Sequence, residues 1–149
     1  MEYWSKLSIM KLSITFAAQA VGIHHPVAIA VRNISVTTTP YCELLHECRR
    51  AEGYLRLHGD ELIKTPEIAG FRALFERLGY VNQIPAGERL IQSIRTKGFK
   101  KINNIVDAYN LAASLSGSGI GLHDARLLTG DIVVDRRAGR RDHCPNIQS

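Results

Sequence analysis

The side chains best suited to chemistry lie between Arg95 and Val134. Arg95, Lys97, Lys100 and Lys101 form a basic cluster, with Phe99 set among the charges. Asn103, Asn104, Asp107 and Asn110 follow in an otherwise apolar stretch. Asn103, Asp107 and Asn110 stand at i, i+4 and i+7, so on a helix they share one face. Gly117, Gly119 and Gly121 come next, then His123 and Asp124. A basic lip, a polar helix start and a glycine turn together suit an anionic or polar ligand, whose identity composition does not give. The candidate pocket residues are Asn103, Asp107, Asn110, Gly119, Gly121 and Asp124. The candidate RNA contacts are Arg95, Lys97, Phe99, Lys100 and Lys101, because single-stranded RNA sites stack a base on a ring while cations hold phosphates.

Each feature also has a plainer use. A polar line on one helix face most often caps the helix and bonds internally, and spacing alone favours that use here. Phe99 can equally be an apolar anchor beneath the lysines. His123 is the type of side chain that moves protons near neutral pH, but adjacent residues rarely face each other, so His123 with Asp124 is not a dyad. Cys42, His46 and Cys48 resemble half of a zinc site. Four ligands are needed and no second pair is evident, so no metal is expected. No nucleotide-loop, nucleophile-elbow or zinc-protease signature is present. No cofactor is expected, and no catalytic residue is named.

A chain of 149 residues with 45% apolar and 22% charged residues suits one globular domain with a buried core. No apolar run reaches the length of about 20 residues that spans a bilayer. Met10–Ala30 comes nearest, and Lys11, Gln19, His24, His25 and Pro26 interrupt it. No membrane partner is expected, and the start of the chain lacks the pattern of a signal peptide. Three cysteines without a CxxC pair suit a reducing cytoplasm. The net charge is +5, and two places supply it: the Arg95–Lys101 cluster, and the tail from Asp135, with four Arg against two Asp. Localised positive charge is the footprint of a polyanion partner, although a basic face kept for solubility has the same composition.

The elements that would position these residues follow from periodicity. Lys11–Phe16 alternates as a strand, and Val27–Val31 is a short apolar run expected to form a buried strand that Ile34–Val36 extends. Tyr41–Leu57 carries the stripe Leu44, Leu45, Cys48, Ala51 and Leu55, with Glu52 outside and a turn at His58-Gly59-Asp60. Thr65-Pro66-Glu67 reads as a helix start, Thr65 being the N-cap. Ile68, Phe71, Leu74, Phe75 and Leu78 then form a face, an Arg72–Glu76 pair lies outside, and Gly79 ends the helix. Pro85 opens a further helix with Leu90, Ile91 and Ile94 inward and Glu88 outward, and Gly98 breaks it. Asn103 or Asn104 caps the Ile105–Leu115 helix, in which Ile105, Val106, Tyr109, Ala112 and Ala113 pack inward. Ile132–Val134 is a strand. From Asp135 periodicity ceases, which predicts a domain over 1–134 and a disordered basic tail over 135–149.

The run Ile102-Asn103-Asn104-Ile105-Val106-Asp107-Ala108-Tyr109-Asn110 resembles the IN-x-hydrophobic-VD-x-x-N signature of the B3/B4 domain. That module occurs in the β subunit of phenylalanyl-tRNA synthetase and as stand-alone proteins. Gly119–Asp124, Leu128 and Gly130–Val134 continue the likeness; Phe71–Phe75, Leu78-Gly79 and Glu88–Ile91 look like the stand-alone branch. The resemblance implies a mixed α/β (α+β) fold, a small sheet flanked by helices, cytoplasmic and acting on tRNA or other RNA. It also implies aminoacyl-tRNA editing by hydrolysis, with backbone donors on the oxyanion and no protein nucleophile. This sequence departs from the synthetase pattern at Gly121, where a histidine is usual, and at His123, where an aromatic is usual. The change of character at Asp135 looks like a truncated copy that keeps the B3-like half. A trans-acting editing hydrolase, a non-catalytic RNA- or partner-binding module and an inactive fragment therefore all stay open, and the fragment would leave an exposed sheet edge at Ile132–Val134.

Overall fold

A computed structural model of the chain describes residues 10–39 and 41–136. Among these residues the fold is mixed α/β, with a two-stranded parallel sheet and five α-helices. The described residues fall into two compact units, one of residues 10–30 with 124–136, the other within 31–123. The tail over 137–149 lies outside the described residues.

In the first unit, β1 (Leu12–Ile14) pairs in parallel with β2 (Ile132–Val134), Leu12 opposite Ile132 and Ile14 opposite Val134. Each strand has three residues, and its ends are held by aspartates. Asp131 Oδ1 accepts the Lys11 N–H at 2.9 Å, and Asp135 Oδ1 accepts the Thr15 hydroxyl at 2.5 Å. Lys11 O and Val134 O extend the ladder by accepting the N–H groups of Ile132 and Thr15. The strand expected over Lys11–Phe16 stops early because Thr15 caps a short helix, α1 (Phe16–Ala20), accepting the Ala18 N–H on its side chain. No third strand pairs with this sheet among the described residues. Val27–Val31 is not the buried strand expected of it; Val27 and Ile29 are 80% and 82% exposed.

The second unit is helical: α2 (Cys42–Leu62), α3 (Pro66–Arg77), α4 (Ala86–Lys97) and α5 (Asn104–Ser116). Leu55, Ile68, Ile91 and Ile94 form its core, one or two residues from each of α2, α3 and α4, with Leu62, Ile63, Leu90 and Phe99 packed around them. Burying four branched aliphatic side chains stabilises the unit by about 1.5–3 kcal/mol each. Ile34–Val36 does not extend a strand here. The Asn104 side chain does the work of a strand partner, donating to Ser35 O and accepting the Thr37 N–H, both at 2.9 Å, while Thr37 O accepts the Asn104 N–H.

The turn expected at His58-Gly59-Asp60 is helix. Cys48, Ala51, Leu55 and Gly59 form one continuous buried stripe, and a Cβ at Gly59 would lie 2.8 Å from Arg95 Nε. The glycine is there to admit a neighbouring side chain to the helix backbone, which keeps α2 running. Gly53, by contrast, is exposed within α2 with nothing within 4 Å of an added Cβ. Gly53→Ala should raise the stability by about 0.5–1 kcal/mol through backbone entropy, read as a higher urea midpoint at unchanged slope.

Further expectations hold in part. Thr65 is the N-cap of α3 with Pro66 at the first helical position, as expected, but its side chain makes no cap bond; its carbonyl accepts the Ile68 and Ala69 N–H groups. Arg72 pairs with Glu88 of α4, not with Glu76. Glu88 is fully buried, and both its oxygens accept from the Arg72 guanidinium, Nε to Oε2 at 2.6 Å, with Gln92 Nε2 adding a bond of 3.0 Å. A buried carboxylate is tolerated only when paired and hydrogen-bonded, so its outward placement was wrong. In α5, Ala113 is buried and Ile105, Val106 and Tyr109 are half-buried, as expected of the inward face, while Ala112 is exposed and Ser114 is buried instead.

Candidate nucleic-acid interface

The basic cluster occupies the connection from α4 to α5, and three tethers shape it. Gly98 ends α4 at φ +76, ψ −179, a conformation that glycine adopts without steric cost, and its N–H bonds Ile94 O at 2.8 Å. The Phe99 N–H donates to Glu52 Oε1 of α2 at 2.7 Å, and the Phe99 ring packs on the core. The Ile102 N–H donates to Asp107 Oδ1 at 3.0 Å. Between these points Lys97, Lys100 and Lys101 are exposed. Among the described residues no carboxylate forms an ion pair with any of the three, whereas Arg50, Arg56, Arg72 and Arg95 each have one.

Arg95 stands apart from the lysines. Its guanidinium makes a two-point pair with Asp60 of α2, Nη2 to Oδ2 at 2.6 Å. The guanidinium holds the Asp60 carboxyl below its ordinary value by direct hydrogen bonding. With one charge offset and Phe99 turned to the core, the exposed basic surface reduces to the three lysines.

The polar face of α5 is used internally. Asn103 is the N-cap, its Oδ1 accepting the Ile105 and Val106 N–H groups at 3.1 and 2.9 Å. Thr37 O takes the Asn104 N–H and Asn103 O the Asp107 N–H. The backbone amides of Asn104, Ile105, Val106 and Asp107 thus have protein acceptors, and none of these four is left to a phosphate. Asp107 is bonded to Ile102, and Asn110 is half-buried. Gly117 closes the helix in the left-handed region at φ +67. Gly119 and Gly121 follow in exposed, irregular chain, and a Cβ added at Gly119 would lie 3.6 Å from the Phe71 ring.

Asp124 begins the 3-10 turn Ala125–Leu127 of the first unit, its Oδ1 accepting the Arg126 N–H at 3.0 Å while the Arg126 guanidinium bonds both oxygens. These bonds bring its pKa from 3.8 down to about 2. The folded value is the lower one, so this cap supports the turn fully above pH 3.8 and loses its effect as pH falls through about 2. A carboxyl-carbon NMR titration should place the Asp124 midpoint near 2, and in Arg126→Gln it should move back toward the ordinary value.

Two of the grooves among the described residues lie in the helical unit. One, about 390 Å³, lies between α2 and α4 and is lined by Arg56, Asp60, Ile63, Gln92, Arg95 and Thr96. The other, about 300 Å³, is formed by Arg72, Glu76 and residues 80–84. Neither is lined by the candidate pocket residues Asn103, Asp107, Asn110, Gly119 and Gly121. Cys48 is buried, and burial pushes its thiol up, with Asp107, Glu52 and Glu47 adding to the shift, so the thiolate is disfavoured. No group of three or more His, Cys, Asp or Glu side chains is placed to hold a metal ion among the described residues, and none of their helices is long and apolar enough to cross a membrane.

Glu52, Asp60 and Glu88 are the site-shaping residues that sequence reasoning passed over. Glu52 and Glu88 read as exposed helix charges and Asp60 as part of a turn, and each acts on a partner from a distant part of the chain. No protein-family model, no curated protein and no solved structure matches the chain.

Proposed function

We propose that this protein is an RNA-binding module, tRNA being the first candidate, that grips the phosphate backbone through Lys97, Lys100 and Lys101. The observation that supports this reading is the contrast in charge pairing. Around the α4–α5 connection the arginine is matched to a carboxylate, while three exposed lysines within five residues have no ion-pair partner among the described residues. Unpaired cations on one connection raise the local potential and release counterions from a polyanion when it docks. The likeness of Ile102–Asn110 to the B3/B4 signature points to the same class of partner. The free thiols at Cys42 and Cys48 suit a reducing cytoplasm as the place of action.

Hydrolytic editing is a weaker reading. It requires donors converging on a carbonyl oxygen, and the helix-start amides nearest the lysines already have acceptors. The test of the binding reading is a fluorescence titration of labelled tRNA at two salt concentrations. Binding that weakens as salt rises supports the module. Absence of binding at 50 mM salt, a condition that exaggerates electrostatic attraction, removes it.

A further inference from the structure

We infer that the partner of the lysine connection is helical RNA, contacted along its backbone, and that Glu52 is the residue which shapes the connection for it. This inference rests on the RNA-binding reading above. Two observations carry it. The first is that Phe99, the aromatic residue among the lysines, has its ring on the Leu55–Ile68–Ile91–Ile94 core. Single-stranded RNA sites draw much of their affinity from bases stacked on exposed rings. Lysines without a ring to stack on contact phosphates, which an RNA helix presents in a fixed array.

The second observation is that the connection is held in one shape. The Glu52 carboxylate accepts the Phe99 N–H at 2.7 Å, next to a glycine whose added Cβ would lie 2.9 Å from the same oxygen. Gly98 stands in the left-handed region at φ +76, and the Ile102 N–H is tied to Asp107. A cation array fixed in advance favours a partner whose charges are also fixed, because little ordering cost remains on either side. A pliable single strand gains less from it. Glu52 is thus a positioning residue, and its sign is unusual. It places a negative charge beside a basic site, so on charge alone its removal should tighten RNA binding of every kind.

The experiment uses a 20-base-pair RNA duplex and a single strand of equal length, with the full chain, Glu52→Gln, Glu52→Ala and Gly98→Ala. Charge density by itself also favours a duplex, so the variants decide the matter. The wild type should prefer the duplex by roughly tenfold, the factor set by ordering one long side chain. Glu52→Gln keeps an acceptor for the Phe99 N–H and should keep the preference. Glu52→Ala removes the acceptor, and its duplex-to-single-strand ratio should fall toward one although the site has gained positive charge. Gly98→Ala disturbs the same contact while leaving every charge in place and should act in the same direction, which covers the case of a poorly folded Glu52→Ala. A preference unchanged in all three variants, or absent in the wild type, overturns the inference. Loss of RNA binding on charge reversal of the lysines, alongside an unchanged preference, would leave the RNA reading standing and remove only this one.

Discussion

Reversal of Lys97, Lys100 and Lys101 to glutamate abolishes tRNA binding at 100 mM salt, while the helix content and melting temperature stay near those of the wild type. The expected size follows from counterion release. Three phosphate contacts give a logarithmic salt slope of about −2.7, so wild-type affinity should fall about 40-fold between 50 and 200 mM salt. Neutralising the lysines to alanine should flatten that slope, and reversing them should replace attraction by repulsion. The side chains are exposed and make no ion pair among the described residues, so folding loses little by their change; surface substitutions of this kind usually stay within about 0.5 kcal/mol. A reversed protein that binds with the wild-type slope would place the RNA site elsewhere or nowhere. The partner pair for comparison is Arg95→Gln: its charge is already matched by Asp60, and the substitution should cost less RNA affinity than any one of the lysines.

The largest effect on stability is expected at Gly117→Ala. Gly117 ends α5 at φ +67, where an L side chain costs about 1–2 kcal/mol. An added Cβ would also overlap Ile68 Cγ1 and lie 2.7 Å from its Cδ1. Ile68 is 1% exposed and belongs to the central cluster, so it has little room to move, and overpacking of this kind costs about 1–3 kcal/mol. Together these come to about 2–5 kcal/mol, a large share of the stability of a unit this small. Urea unfolding measures it. Ile68→Val, which shortens the obstructing side chain, should recover part of the overlap cost in the double variant while leaving the backbone cost. A Gly117→Ala midpoint equal to wild type would mean that the α5 end does not sit on Ile68.

The boundaries of α3, α4 and α5 were legible because they depend on neighbours one turn away, whereas α1 and the last turn of α2 were not foreseen. Pro66 opens α3 and Asn103 caps α5, where its oxygen takes two amide protons. Gly98 and Gly117 stop α4 and α5 because their backbone angles demand glycine. The strands at Leu12–Ile14 and Ile132–Val134 were readable from alternation and β-branching. Their pairing with each other was not, since the two are separated by nearly the whole chain.

The candidate site was legible as a basic cluster and illegible as a structure. Sequence set the number of cations and placed them beside Gly98. Which of them remains available depended on carboxylates distant in the chain: Asp60, 35 residues from Arg95, and Glu52, 47 residues from Phe99. The same holds for Glu88, sixteen residues from Arg72, and for Gly59, read as a turn and found beneath Arg95. Val27–Val31 is the reverse case, a sequence apt for a strand that has no strand beside it among the described residues. Local preference and hydrophobic period determined where most of the chain turns and stops, because those terms act within a few residues. Burial, charge pairing and strand partnership were decided by the tertiary structure, because each is a property of two surfaces that only folding brings together.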